Sequence, residues 1–142
     1  SILVAARGAR TRMHRDPFSS DAVVCQFFGT KELALYRPER RSELTADEIP
    51  GSVEGFVDVR AEALDRLSIE PDYQGSIAAG EMVYIPHDWL HDVIAIDDSV
   101  SVTWNFVHKS GSQEYNEYLK GGLEDEPHFE ILQYFQSLSG PG

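Results

Sequence analysis

The sequence is poor in cysteine, in long apolar runs and, after position 41, in basic residues. Its 142 residues include one cysteine, Cys25, which excludes an internal disulfide framework. A single cysteine is compatible with a reducing compartment, so we expect an intracellular protein of the nucleus or cytoplasm. No apolar run approaches the roughly 20 residues of a membrane span, and we expect no membrane partner. The chain begins with Ser1 instead of Met, as a shortened chain or a domain of a longer protein would.

Charge is distributed unevenly along the chain. Residues 1–41 carry eight Lys or Arg and four Asp or Glu, whereas residues 42–142 carry four and 20. Nucleic acid is disfavoured as a partner, because phosphate binding needs a broad basic face. The acidic excess indicates either a solvated surface or a rim that attracts a basic peptide.

The first two-thirds of the chain reads as short β-strands. Runs of β-branched and aromatic residues, bounded by Gly or Pro, predict strands over 2–6, 23–28, 33–36, 82–85, 90–96 and 100–107. Gly29 and Thr30 predict a hairpin turn between the second and third of these. Residues 39–75 are polar and interrupted by Gly and Pro, so we interpret them as an insertion with a short helix over 61–67.

The pattern becomes helical towards the C-terminus. Ser112 suits a helix N-cap, and Pro127 suits the first turn of a second helix. The second helix has an apolar stripe at helical spacing, formed by Ile131, Leu132, Phe135 and Leu138. This stripe either packs on the body of the protein or joins two copies in a homodimer. The sequence therefore predicts an all-β core, a small barrel or jelly roll, over residues 1–110 and a helical C-terminal extension over 111–142.

His14 and Asp16 are two residues apart, a spacing that places both side chains on one face of a strand. An imidazole and a carboxylate on one face are two of the three ligands of a non-haem Fe(II) site, which needs a second imidazole. Two downstream histidines compete for that role. His87 and His91 would form a zinc-protease-like pair on a helix, but Pro86 and the β-rich flanks argue against a helix. We therefore predict His91 as the ligand and place His87 at a turn.

Residues 100–107 alternate between polar and apolar side chains. One face carries Ser101, Thr103 and Asn105. The other face carries Val102, Trp104 and Phe106. A polar face opposite an apolar face is expected of a strand that lines a wet pocket.

Four motifs follow one another along the chain. They are His14-x-Asp16, Gly29-Thr30-Lys31, Gly80-Glu81-x-x-Tyr84-Ile85-Pro86-x-x-Trp89-x-His91-x-Val93, and Ser99–Phe106. This order, over roughly residues 2–107, resembles the Jumonji-C (cupin-like) family of Fe(II)- and 2-oxoglutarate-dependent oxygenases, which have a double-stranded β-helix core. The chain looks closest to the small hydroxylase branch, which modifies protein side chains. Its Thr103-Trp104-Asn105-Phe106 ending is similar to the arginine demethylase and lysyl hydroxylase group.

The resemblance implies that His14, Asp16 and His91 hold Fe(II), with 2-oxoglutarate and O2 at the remaining positions. It implies oxidative decarboxylation of 2-oxoglutarate to succinate and CO2, coupled to hydroxylation of a C–H bond in a protein or peptide substrate. Hydroxylation of an N-methyl carbon would release formaldehyde and so demethylate the nitrogen. The expected cofactors are therefore Fe(II), 2-oxoglutarate and O2.

The resemblance also implies a cosubstrate site. Lys31 would pair with the distal carboxylate of 2-oxoglutarate. Thr11 would donate its hydroxyl to the same carboxylate. Thr103 and Asn105 would contact the cosubstrate or the surroundings of the metal. Many relatives also place an Asn on the strand before the Lys, whereas this strand reads Ala22-Val23-Val24-Cys25.

Two other functions are compatible with the same residues. A metallo-cupin enzyme that does not use 2-oxoglutarate would keep the three ligands and give Lys31 another task. A non-catalytic Jumonji-like module would bind a basic peptide through acidic side chains, in a salt-sensitive way that does not need His14. The fold alone does not separate these functions, because cupin barrels host many of them.

Overall fold

The computed structural model of the chain describes residues 1–48, 57–59, 69–109, 112–113 and 115. Its strands are β1 (Ile2–Ala5), β2 (Arg10–His14), β3 (Asp21–Phe28), β4 (Lys31–Tyr36), β5 (Thr45–Glu48), β6 (Val57–Val59), β7 (Tyr73–Ile77), β8 (Met82–Ile85), β9 (Leu90–Ala95) and β10 (Ser99–Phe106). Its helical elements are the 3-10 turns Pro17–Ser19 and Pro38–Arg40 and the short helix α1 (Arg41–Leu44). Within these ranges, no helix has the length and apolar character needed to cross a bilayer.

Eight strands form two four-stranded antiparallel sheets. The first sheet has the order β1-β10-β3-β8, the second has the order β2-β9-β4-β7, and β5 pairs with β6 separately. Most consecutive strands lie in opposite sheets, which is the connectivity of a jelly roll. The predicted all-β core is therefore confirmed. The helical extension predicted over 111–142 lies outside the described residues, apart from Ser112, Gln113 and Tyr115.

The turn at Gly29 lies where the sequence predicts it, but the predicted hairpin is wrong. β3 pairs with β10 and β8, whereas β4 pairs with β9 and β7, so the chain crosses between the sheets at this turn. Gly29 has a φ of +71°, and a Cβ atom there would collide with the carbonyl oxygen of Asp98. Two strand runs around a glycine predict the turn but do not determine which strands pair, because pairing depends on how the whole sheet assembles.

The core strand β7 has no counterpart among the predicted strands. It pairs with β4, with Tyr73 opposite Leu35 and Ile77 opposite Lys31. Its first residues fall within the stretch 39–75 that we predicted as an insertion. The sequence of β7 contains Gln, Gly and Ser, and its pairing with β4 outweighs their weak strand preference. The helix predicted over 61–67 lies outside the described residues.

Two apolar clusters stabilise the sheets. The first lies between them and consists of Ala22, Leu33, Leu35, Ile77 and Ile85. The second includes the opposite face of β4 and consists of Met13, Ala34, Tyr36, Leu44 and Leu90. Successive side chains of a strand point to opposite faces, so β4 contributes to both clusters and is buried on both sides.

The β10 strand turns polar side chains inward. Ser99 and Ser101 are buried, and Thr103 lines a cavity between the two sheets. Trp104 lies on the opposite face and is 53% exposed. The alternation read from the sequence thus describes a strand whose hydroxyl groups face the interior.

Candidate metal centre

The side chains of His14, Asp16 and His91 converge at one end of the second sheet. His14 ends β2 and lies directly opposite His91, the second residue of β9. Asp16 follows two residues after β2. One ligand atom from each of the three residues lies within 4.8 Å of the other two, and the imidazole centroids are 4.1 Å apart. Cross-strand pairing therefore brings together the three residues that the sequence suggested as metal ligands.

Both imidazoles are oriented by backbone carbonyl groups. His14 Nδ1 lies 2.8 Å from the carbonyl oxygen of Arg12, and His91 Nδ1 lies 3.1 Å from that of Trp89. A carbonyl oxygen only accepts hydrogen bonds, so each Nδ1 is the donor in its contact, and Nε2 is the ring nitrogen that can serve as a metal ligand. Burial, with a smaller effect of His14, lowers the pKa of His91 to about 3. His91 is therefore neutral at physiological pH, the state a metal ligand needs.

Asp16 supplies the third donor. Its Oδ2 atom is buried and has no hydrogen-bond partner among the described residues. Burial raises the pKa of Asp16, and His14 and the side chain of Asn105 only partly offset this effect. A buried, unsatisfied carboxylate oxygen close to two imidazoles fits a divalent cation, which all three residues could bind. The donor set is that of a two-histidine, one-carboxylate iron site.

His87 does not join this cluster. Its backbone N–H donates to Asp21 Oδ1 at 3.0 Å, and its Nδ1 lies 3.3 Å from the same oxygen. It sits in the turn between β8 and β9, where we expected it.

The three candidate ligands open onto a cavity of about 220 Å³ between the sheets. Thr11, Lys31 and Thr103 line it together with the ligands, and its apolar walls include Leu33, Ile77, Ile85 and Val93. Asn105 is not among its lining residues, but its side chain lies close to Asp16, whose pKa, raised by burial, it partly lowers, and it also donates to Ser20 Oγ at 3.2 Å. Val24 lines the cavity on β3, the strand on which the resemblance led us to expect an Asn.

Lys31 is buried at the first position of β4, with 6% of its surface exposed. Its Nζ atom donates to Ser101 Oγ at 2.7 Å. Burial lowers the pKa of Lys31. Within the part of the chain that the structure describes, no carboxylate forms an ion pair with this ammonium group. A buried cation without an acid partner favours an anionic ligand in the cavity.

Asp21 is a structural residue that the sequence analysis missed. Its buried carboxylate accepts hydrogen bonds from the Tyr84 hydroxyl at 2.7 Å, the His87 backbone N–H at 3.0 Å and the His108 backbone N–H at 3.3 Å. These bonds tie the turn before His91 to β3. The only sequence signal was an acidic residue at the start of an apolar strand.

We expect Asp21→Asn to lower the pKa of Tyr84. The hydrogen bond to Asp21, with burial and the carboxylate charge, raises the pKa of Tyr84 to about 12 from its ordinary value of 10.0. Because the folded pKa is the higher one, this bond stabilises the fold fully below pH 10 and progressively less as pH rises towards 12. Carbon-13 NMR of labelled tyrosine should show the Tyr84 pKa return towards 10 in the variant. An unchanged pKa would contradict the role of Asp21, and Tyr84→Phe identifies the resonance.

Comparisons with known proteins agree with a cupin-like fold and a metal site. Residues 1–112 match the family described as a cupin-like domain. The chain is 30% identical over 114 residues to the 2-oxoglutarate and iron-dependent oxygenase JMJD4 of Gallus gallus, covering 75% of this chain and 26% of that protein. It is 26% identical over 133 residues to the arginine-specific demethylase JMJ22 of Arabidopsis thaliana, covering 84% of this chain and 25% of that protein.

A third relative, the lysine-specific demethylase JMJ21 of Arabidopsis thaliana, is 25% identical over 120 residues, covering 76% of this chain and 12% of that protein. The chain thus spans about a quarter or less of the length of the curated relatives it matches.

Proposed function

The chain belongs to the cupin-like domain family of Jumonji-C proteins, and from that premise we propose that it is an Fe(II)- and 2-oxoglutarate-dependent oxygenase that modifies a protein side chain. The observation that carries the proposal is the cluster of His14, Asp16 and His91, with both imidazoles oriented and one carboxylate oxygen unsatisfied. When bound, Fe(II) would supply the activation of O2 and the oxidation of a substrate C–H bond, coupled to decarboxylation of 2-oxoglutarate.

The residues of the site have separate tasks in this proposal. His14 and His91 present Nε2, and Asp16 presents Oδ2, as metal ligands. The carbonyl groups of Arg12 and Trp89 hold the two imidazole rings in the ligating tautomer. Three protein ligands leave coordination positions open for small molecules.

The cavity next to the ligands suits a small dianion such as 2-oxoglutarate. Its volume of about 220 Å³ is below the roughly 300–1,000 Å³ of pockets for drug-sized ligands. Lys31 lies in its wall as a buried cation, and Thr11 and Thr103 add hydroxyl groups. Leu33, Ile85 and Val93 give it apolar walls, and an apolar surrounding strengthens the attraction between Lys31 and a carboxylate.

The substrate we propose is a basic protein segment. The support is the excess of acidic residues over 42–142 and the likeness to relatives named as arginine-specific and lysine-specific demethylases. Hydroxylation and N-demethylation start from the same C–H oxidation and differ only in whether the carbon bears an amine nitrogen. A homodimer through the C-terminal helix stays a prediction.

Anaerobic titration of the Fe(II)-loaded protein with 2-oxoglutarate tests the proposal. We expect a weak visible charge-transfer band that saturates with 2-oxoglutarate, because the keto acid would chelate the metal through the open positions. Succinate, which lacks the keto group, is the control and should give no band.

The other outcomes separate the competing functions. Bound metal without a band would contradict use of 2-oxoglutarate and favour a different metallo-cupin enzyme. Absence of bound metal would favour the peptide-binding module, whose affinity for a basic peptide should fall with added salt and survive His14→Ala.

A further inference from the structure

Ser101 contacts the ammonium group of Lys31 but does not line the cavity. It is fully buried on β10 and 70 residues away from Lys31 in sequence. An ammonium group only donates hydrogen bonds, so Ser101 Oγ accepts one of its three N–H groups across 2.7 Å. Ser101 is not among the residues that line the cavity, whereas Lys31 is. The serine therefore holds the lysine from the protein side.

A hydroxyl partner differs from a carboxylate partner in one important respect. A buried Asp or Glu would orient the ammonium and also neutralise it, so that the ion pair would compete with any anionic ligand. A serine hydroxyl orients the ammonium but leaves its full charge uncompensated. The positive charge of Lys31 stays available to an anion in the cavity that this residue lines.

Orientation matters here because the lysine side chain is long and flexible. Its four-carbon stem allows many directions for the ammonium group, and a buried charge without a fixed partner turns towards water. Leu33 and Ile77, which line the cavity together with Lys31, supply no alternative acceptor from their side chains. Among the residues that the structure describes, Lys31 Nζ donates its hydrogen bond to Ser101.

Building on the proposed function, we infer that Ser101 is a positioning residue for the distal carboxylate of 2-oxoglutarate. It fixes the ammonium group of Lys31 in the wall of the cavity without neutralising it. The cavity thereby distinguishes a keto acid with a second carboxylate from one that has an apolar end.

The test compares two keto acids in two variants. 2-Oxopentanoate has the same keto acid head as 2-oxoglutarate and a methyl group in place of the distal carboxylate. We expect Ser101→Ala to weaken 2-oxoglutarate binding about two- to tenfold, the effect of one ordinary hydrogen bond, and to leave 2-oxopentanoate binding unchanged. Dissociation constants come from anaerobic titration of the Fe(II)-loaded protein.

Ser99→Ala is the matched control. Ser99 is buried on the same strand, two residues from Ser101 and on the same face, but its Oγ has no hydrogen-bond partner among the described residues. A merely structural effect of losing a buried hydroxyl on β10 would appear in both variants. Positioning of Lys31 predicts that Ser99→Ala keeps the wild-type preference between the two keto acids.

A second readout does not depend on metal or cosubstrate. The chain contains three lysines, so the side-chain NMR signal of Lys31 can be assigned by its loss in Lys31→Met. We expect Ser101→Ala to shift and broaden this signal in the metal-free protein, and Ser99→Ala to leave it unchanged. An unchanged Lys31 signal in Ser101→Ala would overturn the inference.

The binding results separate the inference from the function on which it rests. If the wild type binds 2-oxoglutarate and Ser101→Ala keeps the full preference over 2-oxopentanoate, only the inference fails. If the wild type binds neither keto acid, the proposed function fails and the inference fails with it.

Discussion

Replacing His91 by alanine is expected to abolish Fe(II) binding at this site. His91 supplies one of two oriented imidazoles, and the remaining pair, His14 and Asp16, cannot form the three-ligand set. Loss of a residue that only supports a metal ligand costs about 10- to 100-fold in metal affinity, so loss of the ligand itself should cost at least about 100-fold. Anaerobic titration with Fe(II), or with Co(II) as a spectroscopic substitute, measures the change.

His87→Gln is the matched control for this prediction. His87 is the other histidine of the same stretch, but it lies against Asp21 and outside the ligand cluster. Its backbone N–H bond to Asp21 does not depend on the side chain and should persist in the variant. We expect metal affinity within about twofold of the wild type, within the scatter of an ordinary surface substitution. Loss of metal in His87→Gln together with normal binding in His91→Ala would move the ligand to His87.

The second large effect is expected from Lys31→Met, which removes the buried charge and keeps an unbranched apolar side chain. Hydrogen bonds to charged groups contribute about 1.5–3 kcal/mol, so the affinity for 2-oxoglutarate should fall roughly 10- to 150-fold. Affinity for Fe(II) should stay unchanged, because Lys31 is not among the ligands. The same anaerobic titration gives both constants.

Stability measurements on Lys31→Met separate binding from folding. Without a ligand, the protein buries the ammonium group of Lys31. Among the described residues, its hydrogen-bond partner is the neutral hydroxyl of Ser101. Removing such a charge should leave the free energy of unfolding unchanged or raise it, because the desolvation cost disappears. A protein that is equally or more stable and yet binds 2-oxoglutarate poorly would support a ligand-binding task for Lys31. Unchanged 2-oxoglutarate affinity would instead favour the metallo-cupin alternative.

Several features of the fold follow from short stretches of sequence. The runs around 23–28, 82–85 and 90–96 predict three of the core strands to within a few residues. The turn at Gly29 is predicted because a positive φ there favours glycine. The predicted hairpin between these strands is wrong, because β3 and β4 join different sheets. β7 is missed since its Gln, Gly and Ser carry little strand signal of their own.

The candidate site also combines features that short stretches of sequence predict with features that they do not. Spacing by two residues predicts that His14 and Asp16 share a face of a strand, and that Ser101 and Thr103 do, because side-chain direction on a strand is a local property with a period of two. Asp16 lies two residues beyond the end of β2, and its carboxylate still joins His14. Proximity between strands is not local. It depends on sheet order and register, which place His14 opposite His91.

The sequence by itself therefore determined which chemical groups are available and which of them share a face of a strand. Only the tertiary structure decided that Ser101, rather than a carboxylate, partners Lys31, and that Asp21 anchors the turn before His91. The physical reason is that these contacts join residues 63 or more positions apart, whose distance is set by the packing of two sheets. No periodicity within a single strand carries that information.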